Sequence, residues 1–431
     1  MLHSALLILK FALALAVFAL TLYLVTARPK GLQIGFGAMI GAALALLAGI
    51  TPLRDVATVW GIVWDSTFTF VAIVVMSLVF DEAGFFEHIS KRVEAMTHGS
   101  TRKLFTYNIL LGAAVSALFS NDGGALVLTP IIYSVIRRTD IPAHRYLAFI
   151  MSTQFITDTA SIPFVISNLV NIIGSTYFSI TFLQYFLHMF LPFATSVLSS
   201  LAMLYLVLGR GLPERFHYTP PADTYKDERV IALAIPFMAS LIAVYFATSF
   251  LNVPVAFIAV PAVAGLAGYA AARGRISVSR ILREAPWQII VFSLGMFIVV
   301  YGLGNSGMTQ YLAYALSRIQ ATGPVASTVL SGYMFAGMAG LMNNLPSVLL
   351  GNLAIARLHD PGILPYVNVI ANDIGPKFTP IGSLATLLWM YTLERKSGMR
   401  VSALYYMKIG TVTALPVLTL TLLSSYLASL L

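Results

Sequence analysis

Ser120-Asn121-Asp122-Gly123-Gly124 is a polar, glycine-bearing stretch set between two apolar segments, Leu104 to Phe119 and Ala125 to Ile136. Both flanks read as helix, and each is shorter than the roughly 20 residues that span a bilayer. Two short helices joined at a polar tip make a hairpin that enters the membrane and turns back. Such a tip is tolerated at hydrocarbon depth only when it is buried in protein or lines a watery cavity. Met342-Asn343-Asn344-Leu345-Pro346-Ser347 presents a second tip of the same kind, in the second half of the chain.

The composition agrees with a membrane setting. Hydrophobic residues make up 58% of the 431 residues and charged residues 10%, against roughly 25% charged in soluble domains. Ser4 to Thr26 is a full-length span with no small-residue cleavage site after it, so a cleavable signal is not expected. The chain has no cysteine, which excludes disulfides, thiolate metal sites and cysteine nucleophiles. The seven histidines show no ligand spacing and no Walker-type glycine loop is present, so no cofactor or metal is expected. The net charge of +9 reads as membrane topology, with no nucleic-acid partner.

Taken in order, Ser4 to Thr26, Gln33 to Pro52 and Val63 to Phe80 precede the first hairpin, at about 103–137. A segment at about 146–177 is apolar at both ends and interrupted by Asp158-Thr159-Ala160-Ser161-Ile162-Pro163, the pattern of a discontinuous helix. Phe193 to Leu208 closes the first half, 1–209, and a polar loop at 210–228 leads to the second, 229–431. There the plan repeats, with a hairpin at about 325–357 and a broken helix at about 362–392. Trp64 and Trp287, Gly84 and Gly307, and Asn121 and Asn344 are each separated by 223 positions, while Asp158 and Asp373 are separated by 215. The expected fold is an all-α polytopic membrane protein. It consists of two repeats, each with five transmembrane spans, one re-entrant helical hairpin and one discontinuous helix. An odd number of crossings inverts the second repeat relative to the first. Of the 26 Lys and Arg residues, 21 then collect on one side, three on the other and two lie within segments. By the positive-inside rule the linker is cytoplasmic and both termini are periplasmic.

A charged side chain at the bilayer centre costs roughly 2.5–3.5 kcal/mol on insertion scales, so each one calls for a reason. Asp65 reads as an interfacial anchor beside Trp64. Asp122 suits either the cap of the second hairpin helix or a coupling role. Asp158 and Asp373 occupy equivalent breaks, where transporters hold substrate and coupling ions. Lys377 has Ile162 as its counterpart and lies four residues from Asp373. It either makes a structural ion pair with Asp373 or supplies a fixed cation where ion-coupled relatives hold a metal ion. Nothing in the sequence offsets the desolvation of Asp158, which makes it the candidate proton carrier. Around these charges stand neutral hydrogen-bonding residues, among them Ser120, Asn121, Asn168, Asn343, Asn344 and Ser383. They serve to cap half-helices, to bind a small uncharged hydroxyl-rich solute, or both; no arginine falls at a break to clamp a carboxylate substrate.

Four stretches carry a family resemblance: Ser120 to Pro130, Asp158 to Asn171, Asn343 to Pro346 and Asn372 to Trp389. They resemble the arsenite/antimonite efflux carriers of the ArsB type, within the ion transporter superfamily, and the likeness extends over nearly the whole chain. The resemblance implies a secondary transporter, not an enzyme, in the bacterial inner membrane. It implies export of trivalent arsenic or antimony in exchange for protons, or driven by a soluble arsenite-stimulated ATPase subunit where one is present. Without thiolates, As(OH)3 or Sb(OH)3 would be recognised as a neutral triol through hydrogen bonds. Two other readings stay open, a sodium/proton antiporter of the same fold and a passive channel for neutral solutes.

Overall fold

The computed structural model describes residues 2–217, 226–285 and 287–431, apart from the side chains of residues 2–7, 122, 123, 125, 126, 284 and 396. Described residues form no β-strand, although an isolated antiparallel bridge joins Ser100 to Arg215. In the first half the helices are α1 (Leu2–Ala27), α2 (Ile34–Leu47), α3 (Leu53–Ala83), α4 (Phe85–Ala95), α5 (Thr101–Phe119), α6 (Asn121–Arg137), α7 (Tyr146–Thr159), α8 (Leu169–Tyr177) and α9 (Phe182–Val207). The second half holds α10 (Glu228–Thr248), α11 (Ala256–Ala272), α12 (Val278–Glu284), α13 (Trp287–Leu303), α14 (Thr309–Gln320), α15 (Pro324–Met342), α16 (Asn344–Ile355), α17 (Leu364–Ile374), α18 (Leu384–Ser397) and α19 (Ala403–Ala428). Seven stretches among the described residues are long and apolar enough to cross a membrane, and α2 and α11 are shorter apolar helices.

Two boundaries differ from the sequence reading. The segment read as Val63 to Phe80 is part of a longer helix, α3, which starts at Leu53 and runs for 31 residues, about 46 Å at 1.5 Å per residue. That exceeds the roughly 30 Å hydrocarbon thickness, so its polar first turns extend past the apolar layer. Helix α9 begins at Phe182, well before Phe193, because Thr181 and Gln184 form a reciprocal capping box at its start. Pro192 sits inside this helix without ending it.

The packing exchanges partners between the halves. Helix α3 of the first half lies on α11 of the second, while α13 of the second lies on α2 of the first. Hairpin arm α6 packs on α18, and hairpin arm α16 packs on α8; α9 and α19 pack on each other. Between α2 and α13 the approach depends on small residues, as membrane helices without a hydrophobic drive between them require. A Cβ on Gly295 would come within 2.7–2.9 Å of the Ala38 backbone and side chain; between α1 and α2, one on Gly41 would strike the Thr21 side chain.

Helix α11 contains no charged residue and is held at both ends by carboxylates from elsewhere. At its start, Asp65 of α3 accepts from the amides of Ala256 (2.7 Å) and Val255 (3.3 Å). This buried aspartate is therefore a cap supplied by another helix rather than an interfacial anchor. Beyond the other end of α11, Arg273 Nε donates to Asp227 at 2.8 Å, and Asp227 also caps α10 through the amides of Arg229 and Val230. The Arg273 guanidinium and these amides hold the Asp227 carboxyl below the usual carboxylate range.

Two outcomes follow from this packing. Asn caps a helix about as well as Asp, so Asp227→Asn removes chiefly the charge. Because folding lowers the affinity of Asp227 for its proton, its stabilisation is present above the ordinary carboxylate range and fades as pH falls through the folded value. The variant should melt several degrees lower than the parent in detergent at pH 7, and the gap should close on acidification below about pH 4. The second outcome concerns α19, where a Cβ on Gly410 would lie 1.9 Å from the Lys377 carbonyl oxygen. Gly410→Ala should lower the melting temperature in detergent by several degrees, whereas Gly337→Ala, with open space around it, should be silent. A parental melting temperature for Gly410→Ala would show that α19 does not brace this backbone.

Candidate functional site

At the first hairpin tip, α5 ends at Ser120 with φ 81° and ψ 148°; at the second, α15 ends at Asn343 with φ 80° and ψ 148°. Few residues other than glycine adopt this conformation, and strained backbone of this kind typically costs on the order of 1–3 kcal/mol. It recurs at two polar residues 223 positions apart. Each is buried, so the tips keep their side chains at the expense of backbone strain.

Carbonyls left over at the tips and breaks find side-chain donors from α3, from the breaks and from the second tip. Ser77 Oγ donates to Phe119 O at 2.7 Å and Ser167 Oγ to Ala117 O. In the second half, Thr379 Oγ1 donates to Gly340 O, and Asn343 Nδ2 donates to Ile381 O at 3.2 Å. Asn343 also accepts from Leu345 N at 3.2 Å, capping α16.

Two discontinuous helices face these tips. The first is α7, a non-helical stretch with a short 3-10 turn at Val165–Ser167, then α8; the second is α17, the turns Gly375–Phe378 and Pro380–Gly382, then α18. Asn168 caps α8 through Val170 N, and its Nδ2 donates to Asp373 Oδ1 at 2.6 Å and to Ser161 Oγ at 3.3 Å. The two breaks are thus tied to each other across the halves. Asp158 receives Gln154 Nε2 at 3.3 Å and a hydrogen bond from the Asn121 side chain. Gln154 Nε2 also lies 3.4 Å from Thr386 Oγ1, which in turn is 3.2 Å from the Tyr406 hydroxyl.

Lys377 is fully buried and near enough to both Asp158 and Asp373 for their charges to act on it. The sequence reading left Asp158 without an offsetting cation; the fold brings Lys377 to it, so that expectation is corrected. Near its own backbone, Lys377 is wedged between α15 and α19: a Cβ on Gly375 would meet the Ala336 backbone at 2.6 Å, and Gly410 abuts the Lys377 carbonyl. Its Nζ makes no hydrogen bond among the described residues. Its place is set by the rigid turn, not by its tip.

Of the residues singled out from sequence, Asn121, Asp158, Asn168, Asp373 and Lys377 converge on one buried cluster. Ser120, Asn343, Asn344 and Ser383 are buried at the tips and at the start of α18. The side chain of Asp122 lies outside the described residues. Gln154, Thr386, Tyr406 and Tyr185 were not anticipated. Tyr185 is buried beside Asp373, and its hydroxyl has no hydrogen-bond partner among the described residues. One signal for Gln154 was available: a lone amide inside an apolar helix, one turn before Asp158 and on the same face.

A family model described as an arsenical pump membrane protein matches residues 13–429. An Escherichia coli arsenical pump membrane protein is 42% identical over 417 residues, covering 95% of this chain and 97% of the relative. A Yersinia enterocolitica protein of the same description is also 42% identical over 417 residues, with the same coverage. Among solved structures, the Alcanivorax borkumensis YdaH transporter, described as having an unusual topology, aligns with 98% of this chain and 97% of its own. Its TM-score is 0.56 at 12% sequence identity, a likeness of fold alone. Matched from end to end by the family model and by relatives of this identity, the chain belongs to the arsenical pump membrane protein family.

Proposed function

We propose that this chain exports trivalent arsenic and antimony from the bacterial cytoplasm, as As(OH)3 and Sb(OH)3, in exchange for protons. The observation that carries the reading is the buried Asp158–Lys377–Asp373 cluster between two strained polar tips. With both carboxylates ionised the cluster carries one net negative charge; one added proton makes it neutral. Burial penalises the unbalanced charge, so the cluster suits one proton per cycle. Asp158 is the carrier in this reading. Asp373 accepts the short, charge-assisted bond from Asn168 at 2.6 Å, whereas Asp158 is reached by Gln154 only at 3.3 Å and by the Asn121 side chain.

Around the cluster, Asn121, Asn168, Asn343, Asn344, Ser120 and Ser383 offer amides and hydroxyls to a neutral triol. A fixed ammonium at Lys377 occupies the place a sodium ion would take, which weighs against the antiporter alternative. Titratable groups in the path weigh against a passive channel. The driving force is adequate: one charge moved through 100 mV is worth about 2.3 kcal/mol, roughly a 40-fold gradient at 1.4 kcal/mol per decade. The halves 1–209 and 229–431 act as inverted repeats in this scheme, with the 210–228 linker cytoplasmic and both termini periplasmic. Support for that orientation comes from the lysine and arginine distribution.

Asp158→Asn imitates the protonated carrier permanently. In everted vesicles it should still exchange labelled arsenite between the two sides, yet fail to accumulate it under a pH gradient, acid inside. Accumulation at the parental level would remove Asp158 from the coupling step and leave Asp373 in its place. Lys377 gives a separate test, since a planar guanidinium does not replace a compact ammonium in a closed turn. Lys377→Arg should transport poorly, and flux through the parent should be indifferent to sodium; stimulation of arsenite export by sodium would defeat the fixed-cation reading.

A further inference from the structure

A cavity of about 540 Å³ lies apart from the charge cluster, between α3, α8, α10 and α11. Its mouth is at the Asn252–Pro254 loop, where α10 ends and α11 begins. Lys226, Arg229, Arg273 and Arg275 mark the opposite ends of those same two helices. By the positive-inside rule the cavity therefore opens on the external face. Its inner wall includes Asp65 and Val165. Val165 stands in the first break, three residues from Asn168, which holds Asp373.

Resting on the export reading, we infer that this cavity is the release chamber of the pump, a transit site for a small neutral solute that donates hydrogen bonds. The chemistry of its walls sets that class. The hydroxyls of Ser175 and Thr248 already donate to backbone carbonyls, and that of Thr176 donates to Asp65. What they have left to offer is lone pairs, which meet the O–H groups of a triol. No lysine, arginine or histidine is among the lining residues, and the Asp65 carboxylate repels an anion. A hydrated trihydroxide fits the space, at roughly 30 Å³ for each accompanying water; an oxyanion such as phosphate or arsenate meets no counter-charge. Phe164, next to Val165 in the first break, stacks its ring on Phe182 of the cavity wall at 5.9 Å and on Phe186 at 5.3 Å.

The absence of cysteine makes the test direct. Thr176→Cys, at the floor, and Val253→Cys, at the mouth, are exposed to membrane-impermeant trimethylammonium-ethyl methanethiosulfonate from either side. Both should be modified from outside, and boric acid, a neutral trihydroxide that does not bond to thiols, should slow modification of Thr176→Cys where phosphate does not. The modified Thr176→Cys protein should export arsenite about tenfold more slowly or worse, a barrier increase of about 1.4 kcal/mol. Modification solely from the cytoplasmic side, or full modification of Thr176→Cys with undiminished export, overturns the chamber. A cysteine-free parent that moves no arsenite overturns the export reading and with it the chamber's cargo. The two failures are told apart because the side of modification is read without arsenite.

Discussion

A helix that stops in the middle of a bilayer leaves backbone carbonyls and amides that water cannot reach, and everything at the centre of this molecule follows from satisfying them. Ser77 and Ser167 serve the carbonyls of Phe119 and Ala117; Thr379 and Asn343 do equivalent work around the second tip. Each donor comes from an element that must be present at hydrocarbon depth for the tip to exist. Hairpins and breaks are therefore mutually dependent, and the polar residues they gather are held in place before any solute arrives.

On that frame the fold assembles three charges. Removing one member of a buried charge group typically costs more than the group contributes intact, because the remaining charges are left uncompensated. Lys377 illustrates the point: its backbone is fixed by Ala336 and Gly410 while its ammonium serves two carboxylates from different halves. Such an arrangement resists loss of the cation, as the proposed proton-coupled cycle requires.

Hairpins and breaks were legible in the sequence because hydrocarbon does not tolerate a polar or proline-bearing interruption unless the helix itself stops there. Asn121 and Asn168 could be singled out for the same reason, as they sit at the interruptions. Thr386 and Tyr406 could not, because one polar residue inside a helix carries no pattern until its neighbours in space are known. Asp65 was misplaced on similar grounds: its partners are backbone amides about 190 residues further on, and backbone amides have no sequence signature. The start of α9 was hidden by polar residues, Gln184 and His188, that a hydropathy reading discounts. Lys377 was visible from the outset, but its second partner was not, since contact across the halves depends on how the breaks cross.

The exchange of partners between the halves also bears on how the chain is made. Asp158 and Asn168 emerge early in synthesis, whereas Lys377 and Asp373 follow more than 200 positions later. At roughly 5–20 residues per second, the first aspartate waits about 10 to 40 s in or near the bilayer before its cation exists. Helices α2 and α3 wait comparably for α13 and α11. A ribosome that stalls after the linker leaves a half-molecule whose small-residue faces and polar tips have nothing to close against. Such a fragment is a natural target for membrane proteases, and a gene split at the linker would yield a working protein only if both products were inserted together.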